Sequence, residues 1–158
     1  MMQSLRLMLT GMLAIAAYGQ QQTKVAPKVV FVCEHGAAKS VMAASELQRM
    51  AKERGLAVTV LSRGSNPDAE IAPGVRKELE AAGMDLGSAK PTKVSAKDLT
   101  GATRVISFGP DLSTLMPKGA KVLDWSATPA PGQDYKAARE HILKQLEALL
   151  ADFTVAAR

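Results

Sequence analysis

The sequence predicts an α/β domain built on an open, four-stranded, parallel sheet with helices on both faces. Three observations carry that expectation. Short β-branched runs alternate with segments of helical periodicity along the chain. The stretches between successive runs are long enough for crossover connections, and crossovers make neighbouring strands parallel. A length of 158 residues suits one hydrophobic centre rather than two.

Lys28-Val-Val-Phe-Val-Cys33 reads as a buried strand, because five of its residues are apolar and a Gly-containing turn follows. From Ser40 to Arg54 the pattern turns helical. Val41, Ala44, Leu47 and Met50 recur on one face, Gln48, Lys52 and Glu53 fall elsewhere, and Gly55 supplies the stop. Leu56 to Ser62 is expected as the second strand, and Arg63 to Asp68 as a turn. Pro73 to Ala82 reads as a helix opened by proline and closed by Gly83. Ser95 is expected to cap a short helix to Leu99, after a connector from Pro91 to Val94. Arg104 to Phe108 and Lys121 to Trp125 are the third and fourth strands, the first of them broken by Gly109-Pro110-Asp111. A loop from Ser126 to Gln133 leads into the longest helix, Asp134 to Phe153. In such sheets ligands sit beyond the carboxyl ends of the strands, which is where Cys33 lies.

The composition is that of a globular protein, with 47% apolar and 22% charged residues. Aromatics make up only 4%, which argues against a stacking platform for single-stranded nucleic acid. Basic and acidic side chains are interleaved, so the net charge of +5 describes a solvated surface with a mild preference for anions, and no nucleic-acid partner is expected. Residues 1–19 differ from the rest. Arg6 is their only charge, the run from Leu7 to Ala17 is almost wholly apolar, and Ala17-Tyr18-Gly19 puts small residues where a signal peptidase reads them. They are read as a secretory signal, 20–27 as a linker and 28–158 as the folded domain. The exported product would be periplasmic or secreted. The apolar run is too short to cross a hydrocarbon core of roughly 30 Å, so no stable membrane span is expected.

Cys33 is the one cysteine in the chain, so no intramolecular disulfide can form. Its neighbours, Cys33-Glu-His-Gly-Ala-Ala-Lys39-Ser40, lie between a strand and a helix, and their side chains are small where a ligand must approach. Main-chain N–H groups in a tight loop that feeds a helix N-terminus hold a tetrahedral anion, with the helix dipole assisting. Gly36 suits a residue of positive φ. The donors that hold an anion also stabilise a thiolate, so nucleophile and anion site would coincide at Cys33. Lys39 adds a positive charge, and the Ser40 hydroxyl could reach back to the sulfur.

These residues resemble the active-site loop of the low-molecular-weight protein tyrosine phosphatases and their arsenate-reductase relatives. That signature is Cys, five residues, Arg, then Ser or Thr, at the end of the first strand. The resemblance runs over roughly residues 28–152 and implies a flavodoxin-like sheet of the phosphotyrosine phosphatase I type. It implies that Cys33 attacks phosphorus or arsenic, that the amides of Glu34, His35, Gly36, Ala37, Ala38 and Lys39 hold the oxyanion, and that Ser40 stabilises the thiolate. No cofactor is implied. The implied partners are a phosphate- or arsenate-bearing substrate and, for arsenate, an external thiol reductant, because the chain has no second cysteine to resolve an adduct.

Three positions depart from that pattern. Lys39 stands where the family has Arg, and a point charge replaces a planar two-pronged clamp. Gly36 stands where an Asn usually braces the loop. The family's proton donor is an Asp followed by Pro after the fourth strand, whereas Trp125-Ser-Ala-Thr-Pro-Ala-Pro131 holds no carboxylate and is only flanked by Asp124 and Asp134. A missing acid costs on the order of 10² to 10⁴ for a poor leaving group. The expected function is therefore a cysteine-dependent phosphomonoesterase or arsenate-processing enzyme of weakened activity. The alternative is a phosphate- or arsenate-binding pseudo-enzyme, and a third reading is a redox-active thiol protein.

The remaining candidates receive plainer readings. His35 is a candidate metal ligand or base, but it has no second His or Cys at ligand spacing, so no metal site is expected and its side chain is assigned to solvent or the pocket rim. Glu34 would disfavour a neighbouring thiolate if it pointed inward, and it is expected to point out. His141 is read as structural, Asp111 as a helix cap, Asp124 as a strand-end residue, and Trp125 either lines the pocket or packs in the core. N-terminal sequencing of the protein from its native host tests the export reading: Gln20 is expected as the first residue, and retained Met1 would overturn it.

Overall fold

The computed structural model describes residues 25–155. The expected signal segment and the first five linker positions lie outside the described residues. The elements follow in the order β1 (Lys28–Cys33), α1 (Lys39–Glu53), β2 (Thr59–Gly64), α2 (Pro73–Ala81), α3 (Ala96–Leu99), β3 (Arg104–Ser107), β4 (Val122–Asp124) and α4 (Tyr135–Val155). The four strands form one sheet in the order β2-β1-β3-β4, and every pairing is parallel. The chain leaves β1 toward one edge and returns to β3 on its other side. This makes the carboxyl end of β1 the topological switch point, the place where an open parallel sheet splays its connecting loops and leaves room for a ligand.

β1 is fully buried from Val29 to Val32, as a central strand covered on both faces must be. Its alternation divides the core in two. Val29, Phe31 and Cys33 face a larger cluster with Ile106 of the neighbouring β3 and Met42, Leu47, Leu79, Ile142 and Leu146 from α1, α2 and α4. Val30 and Val32 face a smaller one with Val94, Leu99, Val105 and Leu112, under α3 and the turn that follows β3. Phe31, Phe108 and Trp125 form an aromatic knot on the larger face, with ring centroids 5.7 to 6.4 Å apart. Trp125 is 5% exposed, so of its two expected places it takes the core.

The structure moves several expected boundaries. Leu56 does not open β2; its amide bonds the Ala51 carbonyl at 2.8 Å and closes the end of α1, and the strand runs instead from Thr59 to Gly64. The fourth strand shrinks to three exposed residues at the sheet edge. Asp111 caps no helix: its carboxylate takes the Ser113 amide at 2.8 Å within a turn. Ser95 does cap α3, through a reciprocal box with Asp98. No helix among the described residues is long and apolar enough to cross a membrane.

α1 is buried on more sides than its apolar stripe announced, and Glu46 is wholly enclosed. The cost of enclosing that carboxylate is offset by two guanidinium groups: Arg49 Nε donates to Oε2 at 2.8 Å and Arg139 Nε of α4 donates to Oε1 at 2.6 Å. A second tie, Arg54 to Glu147 at 2.7 Å, joins the same two helices nearer solvent. The pose of α1 is therefore fixed by α4. Replacement of Glu46 by Ala leaves two cations facing each other across a cavity; urea unfolding is expected to show a loss of about 3 kcal/mol, and an unchanged midpoint would refute the clamp.

Candidate active site

The period of two along β1 decides where Cys33 points. Odd-numbered residues face the larger cluster, so the sulfur sits on the same side of the sheet as α1. The residue is 7% exposed, and its Sγ lies 3.1 Å from the Ser40 hydroxyl in the first turn of that helix. Ser62 of β2 donates its own hydroxyl to Ser40 Oγ at 2.9 Å. Ser62 pairs with Phe31 in the parallel register and so shares the face of Cys33. With its oxygen already accepting from Ser62, Ser40 is free to turn its proton toward sulfur. The chain Ser62 to Ser40 to Cys33 thus ends in a hydroxyl whose proton can face the sulfur.

The loop between β1 and α1 is held from outside by one strap of chain, residues 64–72. The Ser65 amide donates to the Cys33 carbonyl at 3.0 Å, Asn66 to Glu34 at 2.8 Å, Asp68 to His35 at 3.0 Å and Ala72 to Ala37 at 3.0 Å. In a planar trans peptide the carbonyl of one residue and the N–H of the next point in opposite directions, and this chain has no cis peptide bond. Turning four carbonyls toward the strap therefore turns the amides of Glu34, His35, Gly36 and Ala38 away from it. None of the amides from Glu34 to Val41 donates to an acceptor among the described residues. Ala38, the N-cap of α1, supplies no side-chain oxygen to the open end of the helix. A row of uncommitted donors at a helix N-terminus is a place for an anion.

Two glycines make the strap possible. Gly36 has φ +60°, and a Cβ built there would lie 2.9 Å from the Gly64 amide nitrogen. The reverse also holds: a Cβ on Gly64 would lie 2.7 Å from the Gly36 nitrogen and 2.9 Å from the His35 carbonyl carbon. Both neighbours are backbone and have no rotamer to yield. The expected positive φ at Gly36 is present, and Gly64, which the sequence reading placed in a turn, is the last residue of β2 and pairs with Cys33.

The charged groups distribute as follows. Lys39 opens α1, half-buried, and makes no hydrogen bond or ion pair among the described residues. Glu34 points out, with 68% of its side chain exposed, and His35 is 53% exposed with Nδ1 3.2 Å from Asp68 Oδ1. Asp124 receives the Ser126 amide at 2.8 Å, and the Ser126 hydroxyl and amide hold its carboxyl below the usual range. Asp134 receives the Ala137 amide at 2.9 Å and caps α4. His141 Nδ1 lies 3.0 Å from the buried Thr128 hydroxyl and ties the loop after β4 to α4. Ser62 and Gly64 are the residues that sequence reasoning missed. The only available signal was their place in a strand next to β1, and it needed the correct register to be read.

Residues 28–117 match the profile of the family described as low molecular weight phosphotyrosine protein phosphatase. No curated protein matches the chain by sequence. Among solved structures, the chain is similar to the thioredoxin-dependent arsenate reductase of Corynebacterium glutamicum, with a TM-score of 0.70 and 26% identity over 85% of this chain and 65% of that one. This chain therefore spans a little under two thirds of the reductase. It shares its fold with a low molecular weight protein tyrosine phosphatase from Streptococcus pyogenes, at TM-score 0.67 and 16% identity over 80% and 92% of the two chains. The same holds for one from Bacillus subtilis, at 0.69 and 17% over 83% and 99%.

Substitution of Gly64 by Ala drives a methyl group into the loop backbone and forces the strap off it. Orthovanadate affinity, read by calorimetry, is expected to fall by roughly tenfold or more in a protein whose far-UV spectrum is unchanged; unaltered affinity would show that the close approach does not shape the cradle.

Proposed function

The chain belongs to the low molecular weight phosphotyrosine protein phosphatase family, and from that premise we propose that it is a cysteine-dependent phosphomonoesterase working through Cys33. The observation that carries this reading is the run of uncommitted amides beside a sulfur that lies 3.1 Å from the Ser40 hydroxyl. A phosphoryl group seated in that loop would place its three equatorial oxygens on main-chain N–H groups, with phosphorus above Sγ. The thiolate displaces the ester oxygen, and water then releases phosphate from the phosphocysteine. Charge that builds on the equatorial oxygens meets donors fixed in advance, the arrangement that lowers such barriers most.

Lys39 is assigned the supporting cation. A positive side chain in the first turn of a helix opposes the dipole at a cost of about 0.3 to 1 kcal/mol, and an anion in the loop offsets that cost. Its single ammonium grips fewer oxygens than a guanidinium, so turnover is slow beside that of an enzyme with Arg in this place.

A second reading, thiol-dependent processing of arsenate, is supported by the similarity to the Corynebacterium glutamicum reductase. The same cradle fits arsenate, and with Cys33 the sole cysteine of this sequence an external thiol has to release the arseno-cysteine. A binder without turnover is the alternative that the missing Asp-Pro acid and Lys39 leave to experiment.

The wild-type protein is expected to hydrolyse p-nitrophenyl phosphate, and Cys33→Ser to retain only the uncatalysed background; equal rates in the two would reject the nucleophile. Lys39→Arg is expected to raise kcat by about tenfold or more, in line with the value of bidentate contacts to a transferring phosphoryl group. No gain from that replacement would favour the binding module.

A further inference from the structure

From the rim of the loop we infer that His35, positioned by Asp68, is the proton donor to the leaving oxygen, taking the place of the carboxylate that the loop after β4 lacks. This inference rests on the proposed thiolate reaction and deepens it.

A phosphoryl transfer to sulfur expels an alkoxide or phenoxide, and for any but the best leaving groups a proton must reach that oxygen as the bond breaks. The structure disposes of the obvious sources. The chain from Trp125 to Pro131 carries no acid. Asp134 is engaged as the cap of α4. Asp111 and Asp124 each accept a main-chain amide at 2.8 Å, and the hydrogen bonds from Ser113 and Ser126 hold both carboxyls below the usual range, which makes them poorer proton donors in neutral solution. Tyr135 is partly buried, and its phenol is pushed up by burial.

Against the loop itself the described residues place Glu34, His35, Lys39 and Asp68. Of these residue types, histidine is the one whose ordinary charge change falls near neutrality, so it both gives and retakes a proton there. His35 stands two positions after the nucleophile and moves with the loop. It is fixed at two points by the same residue: its carbonyl accepts the Asp68 amide at 3.0 Å, and its Nδ1 lies 3.2 Å from Asp68 Oδ1. That contact turns Nδ1 toward the Asp68 carboxylate, and Nε2 is the ring nitrogen assigned the exchange. Among the described residues Nε2 makes no hydrogen bond, and Glu34 Oε2 lies 3.8 Å away, longer than one. Half of the side chain is open to solvent, so the ring can be reached from outside the fold.

The step balances without a further reactant. The Cys33 thiolate bonds to phosphorus as the ester P–O bond breaks, and the departing oxygen takes the Nε2 proton of the imidazolium, which leaves neutral imidazole with its Nδ1 proton facing Asp68. In the second half, Nε2 takes a proton from the water that attacks phosphorus. The S–P bond then breaks, which returns the thiolate, the imidazolium and inorganic phosphate.

Leaving-group dependence tests the assignment, because a merely structural role would not discriminate between esters. Wild type, His35→Gln, Asp68→Asn and Cys33→Ser are assayed with phenyl phosphate, whose phenoxide needs a proton, and 2,4-dinitrophenyl phosphate, whose phenoxide does not. In His35→Gln the loss of kcat on the phenyl ester is expected to exceed the loss on the dinitrophenyl ester by about tenfold or more, with a smaller shift of the same sign in Asp68→Asn and orthovanadate inhibition retained. Equal losses on both esters, or no loss on either, would overturn the role of His35 while Cys33→Ser still abolishes turnover. Turnover that survives in Cys33→Ser would instead overturn the nucleophile, and with it this inference.

Discussion

The site depends on one constraint: the carbonyls of residues 33, 34, 35 and 37 are all committed to a single neighbouring segment. Because a trans peptide sets its C=O and the following N–H against each other, satisfying those acceptors on the outside leaves the donors on the inside unsatisfied. Elsewhere in a folded protein such a row of orphan amides would be a defect. Beside a thiol and at the open end of a helix, such a row suits a group of opposite charge that brings its own acceptors. The close contact of Gly36 with Gly64 belongs to the same constraint, since the strap can reach the loop carbonyls only if both backbones come within van der Waals distance with no Cβ between them.

Around this the fold supplies support that is indifferent to chemistry. α1 must keep its N-terminus aimed at the loop, yet its own cap offers no side-chain bond. Its orientation comes instead from its far turns, where Glu46 is gripped by Arg49 and Arg139 and where Arg54 meets Glu147. A buried carboxylate with two partners adds little stability over an apolar replacement, but it tolerates no sliding of one helix along the other. The ligand end of α1 can therefore stay unsatisfied without the helix drifting.

What was legible in the sequence was local. The β1 run, the loop spacing from Cys33 to Ser40, the positive φ at Gly36 and the helix that follows all arise within one stretch of chain, and each rests on a signal of short range. The parallel four-stranded sheet was legible from the alternation of elements. What escaped depended on register between distant strands. Placing β2 at Leu56 to Ser62 hides the pairing of Gly64 with Cys33 and of Ser62 with Phe31, because nothing inside β2 states which of its residues lies opposite Cys33. Glu46 escaped for a related reason: a charged residue on a helix reads as solvent-facing until a second helix, 93 positions away, brings an arginine to it.

The departures from the family signature fall on side chains, while the proposed anion site is made of main chain. Exchanging Asn for Gly at position 36 removes a side-chain brace, and the backbone contact with Gly64 then sets the loop shape. Exchanging Arg for Lys at position 39 changes the strength and direction of one contact and leaves the amides where they are. Losing the acid after β4 touches only the fate of the leaving oxygen. On the proposed reading, affinity for a tetrahedral oxyanion would rest on the hydrogen bonds between residues 33–37 and 65–72, and the rate of reaction on Cys33, Lys39, Ser40 and the rim around His35. Binding and turnover would then be separable, because a chain that keeps the main-chain hydrogen bonds keeps a scaffold on which reactivity can be tuned one side chain at a time.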